Sequence, residues 1–180
     1  DYDRLKEEIT KSEGLKLKAY QLQYNTADGL VKEPFYTIGI GHRVKESDKI
    51  DVNKEYSYDF INKLFEVDFS IAKAGADELL GDCHPMAKEA GIECVFVLGK
   101  TGFKNFAKTI KLIKDGKHQE ASEEIKAIIE DIKQKVLKEK NPNLIVRLEK
   151  RLAMLAAKID IVKVSDKYTN EAKDKMHKFK

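Results

Sequence analysis

Two stretches of the chain decide the fold: SEGLKLKAY at residues 12–20 and YTIGIGH at residues 36–42. Ahead of the first stretch, apolar residues repeat at helical spacing over residues 2–12. Gly14 is a helix stop signal, and the residues that follow it alternate as they do in a strand. The sequence therefore predicts a short helix that ends against a β structure, with the second stretch on a returning strand.

A β-hairpin is predicted between the two stretches. Asp28-Gly29 is the strongest turn dipeptide in the sequence, and the apolar run that follows it continues to Ile40. Pro34 within that run indicates an edge strand or a bulge, because proline cannot donate a ladder hydrogen bond. A third short strand is expected near residues 40–44.

The sequence after about residue 57 is helical in pattern. Ser57 is a plausible N-cap for a long amphipathic helix. Further helices are predicted over residues 85–98, 104–114, 121–136 and 144–162, with Gly99 and Gly102 as breaks between the first two. The order of elements predicts an α+β fold, with a small β-hairpin lobe and a larger helical lobe joined by a long helix.

A single two-lobed domain is expected over residues 1–164. Its β lobe would cover about residues 14–56, and its α lobe about residues 57–164 together with the helix at 2–12. The remaining residues, 165–180, form a Lys-rich C-terminal tail. A chain of this length can bury a core without disulfides or metals.

Composition excludes several classes of partner. The chain has 180 residues and a net charge of +3, with acidic and basic residues interspersed, so no nucleic-acid partner is expected. Cys83 and Cys94 are too few for a disulfide framework or a zinc site, and we expect no metal and no cofactor. Cys94 lies in an apolar run and is predicted to be a core thiol. No apolar run reaches the roughly 18 to 20 residues of a membrane span.

The two stretches together resemble the phage-type lysozymes, the family of bacteriophage muramidases and endolysins. That family carries Glu-Gly-x-x-Leu-x-x-Tyr, then a hairpin, then Thr-Ile-Gly-x-Gly-His. Both patterns occur here in that order, within residues 13–20 and 37–42. Weaker matches continue to about residue 155 and comprise Leu64-Phe65-x-x-Asp68, Phe96-x-x-Gly99-x-x-Gly102 and Pro142-Asn143.

The resemblance implies an inverting glycoside hydrolase that cleaves the linkage between N-acetylmuramic acid and N-acetylglucosamine in peptidoglycan. Such a reaction needs an acid to protonate the leaving oxygen and a base on the opposite face of the sugar. By resemblance, Glu13 is the general acid and Thr37 positions the attacking water. Phe96 and Thr109 match the family's substrate-binding wall. His42 is implied to pair with a carboxylate of the long helix, Asp68.

The second carboxylate is where the sequence departs from the family. The family's base is usually an Asp at the position occupied here by Leu22. If the hairpin pairs about its turn, Thr37 faces Tyr20, and Asp28 lies roughly 30 Å along the strand from Thr37. Glu33 is nearer, at roughly 13 Å. Asp28 is the candidate base if a bulge or folded loop returns it to the site; Glu33, or no carboxylate, are the alternatives.

The resemblance also implies a biological setting. The enzyme would serve host lysis or act as a virion tail-associated enzyme. Its location would be the phage virion or the host cell envelope and periplasm, with the host cytoplasm before release. Expected partners are peptidoglycan and phage tail or baseplate proteins, and the isolated domain is expected to be a monomer.

A rival hypothesis has a different class of function. Leu22, Val97 and Leu144 stand where the family usually has Asp, Gln and Arg. These departures favour a catalytically weak or inactive lysozyme-fold protein that is structural or binds the cell wall within a phage particle. A generic helical interaction protein is a third interpretation, but it leaves the two opening stretches unexplained.

Overall fold

The computed structural model of the chain describes residues 1–26, 29–32, 34–136, 153 and 156–162. Its elements are α1 (Asp3–Glu13), β1 (Lys16–Tyr20), β2 (Gln23–Thr26), β3 (Gly29–Lys32), β4 (Thr37–Gly39), β5 (His42–Arg43), a 3-10 turn (Glu46–Asp48), α2 (Tyr58–Leu80), α3 (Pro85–Lys104), α4 (Ala107–Lys114) and α5 (His118–Val136). Residues 156–162 are also helical. The predicted α+β class, mostly helical with a small antiparallel sheet, is confirmed.

The chain divides into two compact units, Asp1–Ala72 and Lys73–Lys180. The division falls within α2, which therefore connects the two units. The predicted lobe limits remain predictions, and the Lys-rich tail at 165–180 lies outside the described residues.

Helix α1 ends where its glycine predicts. Gly14 has φ 77°, a conformation that residues with a side chain rarely adopt, and its N–H donates to the Thr10 carbonyl at 2.8 Å. Leu5 and Ile9 are buried on one face of α1. Glu13 is consequently the last helical residue, immediately before the chain enters β1.

The β structure of the first unit comprises two antiparallel sheets. β1, β4 and β5 form a three-stranded sheet in the order β1-β4-β5, and β2 pairs with β3 in a separate two-stranded sheet. Tyr20 faces Thr37 across β1 and β4, as predicted, although the register shifts along this pair of strands. The prediction that Gly29 forms the hairpin turn is wrong, because Gly29 begins β3 and pairs with Thr26 of β2. β5 confirms the third short strand expected near residues 40–44. The predicted turn residue Asp28 lies outside the described residues.

Helix α2 begins at the predicted cap. The Phe60 N–H donates to Ser57 Oγ at 3.1 Å, which satisfies one of the free amides at the start of the helix. Ile61, Phe65 and Phe69 are buried along one side of the helix. This side of α2 supplies a large part of the apolar core of the first unit.

In the second unit, one predicted helix break is correct and the other is wrong. Gly99 has φ 76° and ψ 163°, and it interrupts the helical path of α3. Gly102 stays within α3. A Cβ built on Gly102 would lie 2.9 Å from Leu98 Cβ, so this glycine provides close packing and does not end the helix. α4 therefore begins at Ala107, later than the predicted residue 104.

A buried ion pair attaches residues 156–162 to the second unit. Lys158 Nζ contacts Glu93 Oε1, and each residue is only 8% exposed. Ser122 Oγ on α5 donates to Asp160 Oδ1 at 2.5 Å, two residues beyond Lys158. Polar contacts therefore fix this late helical segment against both α3 and α5.

Candidate active site in the first unit

Glu13 and Gly41 bring the two sequence stretches together. Gly41 lies in the turn between β4 and β5 with φ 69°. A Cβ built on Gly41 would overlap Oε2 of Glu13 and lie 2.8 Å from its Cδ. Contacts this short do not occur between real atoms, so a side chain on Gly41 would require the carboxyl group of Glu13 to move from this position. The carboxyl group of the proposed acid thus lies directly against the turn of the second stretch.

Thr37 is a buried residue of the central strand. It is 6% exposed, and it lies on β4 between Tyr20 of β1 and Arg43 of β5. Directly opposed residues of antiparallel strands project from the same face of a sheet. A hydroxyl group in this position can hold a single water molecule in a setting with little bulk solvent. The role of Thr37 in positioning water stays a prediction.

His42 joins three elements of the first unit. Its Nδ1 lies 2.7 Å from Asp68 Oδ2 on α2, and its Nε2 lies 2.8 Å from Asp48 Oδ2 at the 3-10 turn. The predicted pairing of His42 with Asp68 is confirmed. Asp48 is an additional partner, and its Oδ2 also accepts from the Lys45 N–H at 2.7 Å. Both ring nitrogens face carboxylates, which only accept hydrogen bonds, so the doubly protonated ring fits this site best.

The charges around His42 oppose the effect of burial. Burial by itself lowers the pKa of His42, but the hydrogen bonds and charges of Asp68 and Asp48 outweigh it, and the pKa of His42 is raised above its ordinary value. Burial acts to raise the pKa of Asp48. The hydrogen bond from His42 and that from the Lys45 N–H prevail and lower the pKa of Asp48. The cluster therefore holds the sheet to α2 through charged hydrogen bonds.

The predicted second carboxylate falls outside the residues that the structure describes. Leu22, at the position of the family's base, is half-buried in the break between β1 and β2. Asp28 and Glu33, the two candidates from the sequence, both lie outside the described residues. The assignment of Asp28 as the base therefore stays a prediction, with Glu33 or no carboxylate as alternatives.

The two predicted substrate-binding residues belong to the second unit. Phe96 is half-buried on α3, close to the break at Gly99. Thr109 on α4 is 2% exposed, and within the described part of the chain its Oγ1 has no hydrogen-bond partner. The substrate-binding roles of Phe96 and Thr109 stay predictions.

Two features of the site were not predicted from the sequence. Asp48 follows Lys45 by three residues, a spacing typical of a side chain that caps a turn, and this signal was available. Arg43 directly follows the motif and had no signal of its own. Its Cζ lies 4.0 Å from the centroid of the Phe35 ring. The stacking of Arg43 on Phe35 depends on the register of β4 and β5, and the contact of Asp48 with His42 depends on the path of the chain after β5.

The two cysteines of the chain are not part of the candidate site. Cys94 is buried, as predicted for a core thiol, and burial together with the neighbouring Glu93 raises its pKa far above the ordinary value. Cys83 and Cys94 are both free thiols. In the described ranges, no group of three or more His, Cys, Asp or Glu side chains is arranged to hold a metal ion. No helix found in those ranges has the length and apolarity needed to span a membrane.

The arrangement of elements defines the class of the protein: the chain has a lysozyme-like α+β fold. Among solved structures, it is similar to the muramidase domain of SpmX from Asticaccaulis excentricus, with a TM-score of 0.60 and 18% sequence identity. The match covers 87% of this chain and 95% of that domain. No protein-family model matches the sequence, and no curated protein matches it either. At this level of identity the likeness establishes the fold.

Proposed function

We propose that this chain is a peptidoglycan-hydrolysing muramidase that cleaves the linkage between N-acetylmuramic acid and N-acetylglucosamine. The observation that carries the proposal is the contact of the Glu13 carboxyl group with the turn at Gly41. Glu13 ends a helix, and Gly41 belongs to a separate stretch of sequence. Their contact beside the strand that carries Thr37 supports a built site in preference to an ordinary surface glutamate.

The mechanism that we propose follows from the chemistry of glycosides. Glu13 donates a proton to the leaving oxygen, and Thr37 holds the water that attacks the anomeric carbon. Inversion of configuration requires a base carboxylate about 6.5 to 9.5 Å from the acid, so that a water fits between base and sugar. We propose Asp28 for this role, with Glu33 as the alternative. No cofactor is required for these steps.

The biological setting that we propose rests on the sequence resemblance. The phage-type lysozyme pattern supports a role in host lysis, or a virion-associated role with tail or baseplate proteins as partners. The enzyme would then work in the phage virion or at the host cell envelope and periplasm. The structural likeness to a bacterial muramidase domain supports the fold and carries no argument for a phage role.

A second candidate function rests on a specific observation. Leu22, half-buried at the position of the family's base, cannot act as a base. This favours a lysozyme-fold protein that binds peptidoglycan and cleaves it weakly or not at all. The two candidates differ in one respect: whether a carboxylate completes the site opposite Glu13.

The test is the loss of turbidity of a purified peptidoglycan suspension. The wild-type chain is compared with Glu13→Gln, Asp28→Asn and Glu33→Gln. If the wild type clears the suspension and Glu13→Gln does not, the muramidase proposal is supported. Whichever of Asp28→Asn and Glu33→Gln is also inactive then identifies the base. If the wild type pellets with peptidoglycan but does not clear it across a broad pH range, the enzyme proposal is overturned in favour of the wall-binding function.

A further inference from the structure

We propose that Arg43 recognises a carboxylate of the peptidoglycan peptide stem. This inference rests on the proposed function and assigns a substrate feature to the same site. Three observations carry it: the register of Arg43 beside Thr37, the stacking of its guanidinium on Phe35, and its exposure to solvent.

The register places Arg43 one strand from the proposed site of reaction. Thr37 and Arg43 are direct partners across β4 and β5. Opposed residues of antiparallel strands project from the same face, and neighbouring strands lie about 4.8 Å apart. Thr37 is buried, whereas Arg43 is exposed. The same face of the sheet thus passes from a buried hydroxyl to a solvent-accessible cation within one strand spacing.

The Phe35 ring holds the guanidinium in a defined orientation. Cζ of Arg43 lies 4.0 Å from the ring centroid, within the range of a cation–π contact. A planar guanidinium stacked on an aromatic face keeps its N–H donors at its edges, where they remain available. Stacking also reduces the side-chain freedom that Arg43 would lose when it binds a ligand.

The chemistry of Arg43 defines the ligand. In the described part of the chain, no carboxylate forms an ion pair with Arg43, and its side-chain contact is with Phe35. A guanidinium binds a carboxylate through two parallel hydrogen bonds. The glycan backbone of intact peptidoglycan is uncharged where its lactyl groups carry peptide, so the accessible carboxylates belong to the peptide stems. These stems branch from the muramic acid ring, next to the bond that is cleaved.

The experiment compares two forms of one substrate. Peptidoglycan without teichoic acid is used directly, and a second portion has its carboxyl groups converted to neutral amides. We measure kcat and KM for the wild type, Arg43→Gln and Arg43→Lys on both forms. Lys54→Gln is the matched control, because Lys54 is also exposed and contacts a ring of the first unit, that of Tyr56, at 5.0 Å.

We expect KM to depend on the charge of the substrate carboxyl groups and on the charge of residue 43. Amidation should raise the wild-type KM about fivefold, the size typical of a partly solvated charged contact, with kcat little changed. Arg43→Gln should have the raised KM on both forms, and Arg43→Lys should recover part of the difference. Lys54→Gln should behave as the wild type. A wild type that is indifferent to amidation, or an Arg43→Gln variant that keeps the wild-type preference, overturns the inference.

Failure of the proposed function is distinguishable from failure of this inference. If the wild type cleaves neither form, co-sedimentation of the protein with each form replaces the kinetic measurement. Tighter binding of the acidic form by the wild type, and its loss in Arg43→Gln, supports carboxylate recognition by a non-hydrolytic protein. Equal binding of both forms by the wild type overturns it.

Discussion

The carboxyl group of Glu13 lies directly against Gly41, in the space that a Cβ on this residue would occupy. One residue ends the first helix and the other forms the turn between two strands. The position of the Glu13 carboxyl group in the first stretch therefore explains why a glycine, Gly41, occurs in the second stretch. The relationship is a property of the folded first unit, and it leads to a direct test by substitution.

Gly41→Ala is expected to displace the Glu13 carboxyl group and to abolish most of the proposed activity. The added methyl group would overlap Oε2 of Glu13, and the positive φ adds a cost of about 1–2 kcal/mol in stability. Gly81→Ala is the matched control, because Gly81 has φ 60° with nothing within 4 Å of an added Cβ. Peptidoglycan clearing and thermal unfolding are measured for both variants. Equal activity in the two would show that the contact with Glu13 is unimportant.

His42→Gln is expected to destabilise the chain by about 3 kcal/mol, because it leaves Asp48 and Asp68 with a weaker partner in a partly buried site. Chemical unfolding at pH 6 measures the effect. Gln is the appropriate replacement since it still donates a hydrogen bond and removes the charge. A change below about 0.5 kcal/mol, the usual range for surface positions, would contradict the structural role.

The stability of the wild type is expected to fall as the pH rises above about 6.5, the ordinary pKa of histidine. The pKa of His42 is raised in the folded chain, so its contribution is complete below its unfolded value and is lost as the pH rises through its folded value. The pKa of Asp48 is lowered, so its contribution is lost only in acid. His42→Gln should remove the alkaline part of this dependence. An unchanged pH profile in that variant would assign the dependence to other groups.

Lys158→Met is expected to cost about 3 kcal/mol, because it removes the ammonium group from the buried pair with Glu93. The double variant Glu93→Leu with Lys158→Met should recover much of that loss, since it removes both charges of the pair. Urea unfolding of the single and double variants provides the comparison. A double variant less stable than Lys158→Met would mean that the ion pair is not the reason for the cost.

The ends of the helices were predictable where a single residue has a known effect on the helix. Gly14 stops α1 and Gly99 breaks α3 through their backbone conformation, and Ser57 caps α2 through its hydroxyl group. All three effects are local in sequence. The prediction that Gly102 breaks the helix was wrong, because this glycine stays in α3 and packs closely against Leu98 across the kink at Gly99. The sequence alone does not show whether a glycine at this position ends the helix or permits close packing.

The site was predictable in part. The pairing of His42 with Asp68 followed from the resemblance, while the second carboxylate partner, Asp48, depends on the path of the chain after β5. The stacking of Arg43 on Phe35 depends on strand register, which the sequence does not state. The base remained open for a different reason: the family's position is occupied by Leu22, so the pattern provides no acidic residue to place.

The central claim is that Glu13 acts as the acid of a muramidase, and the products of digestion test it most directly. Purified sacculi are incubated with the wild type and with Glu13→Gln, and the soluble fragments are reduced with borohydride and identified by mass spectrometry. Reduced muramic acid ends from the wild type, and none above background from a folded Glu13→Gln, are the predicted result. Fragments that end in reduced glucosamine, equal release by Glu13→Gln, or no release by the wild type would contradict the claim.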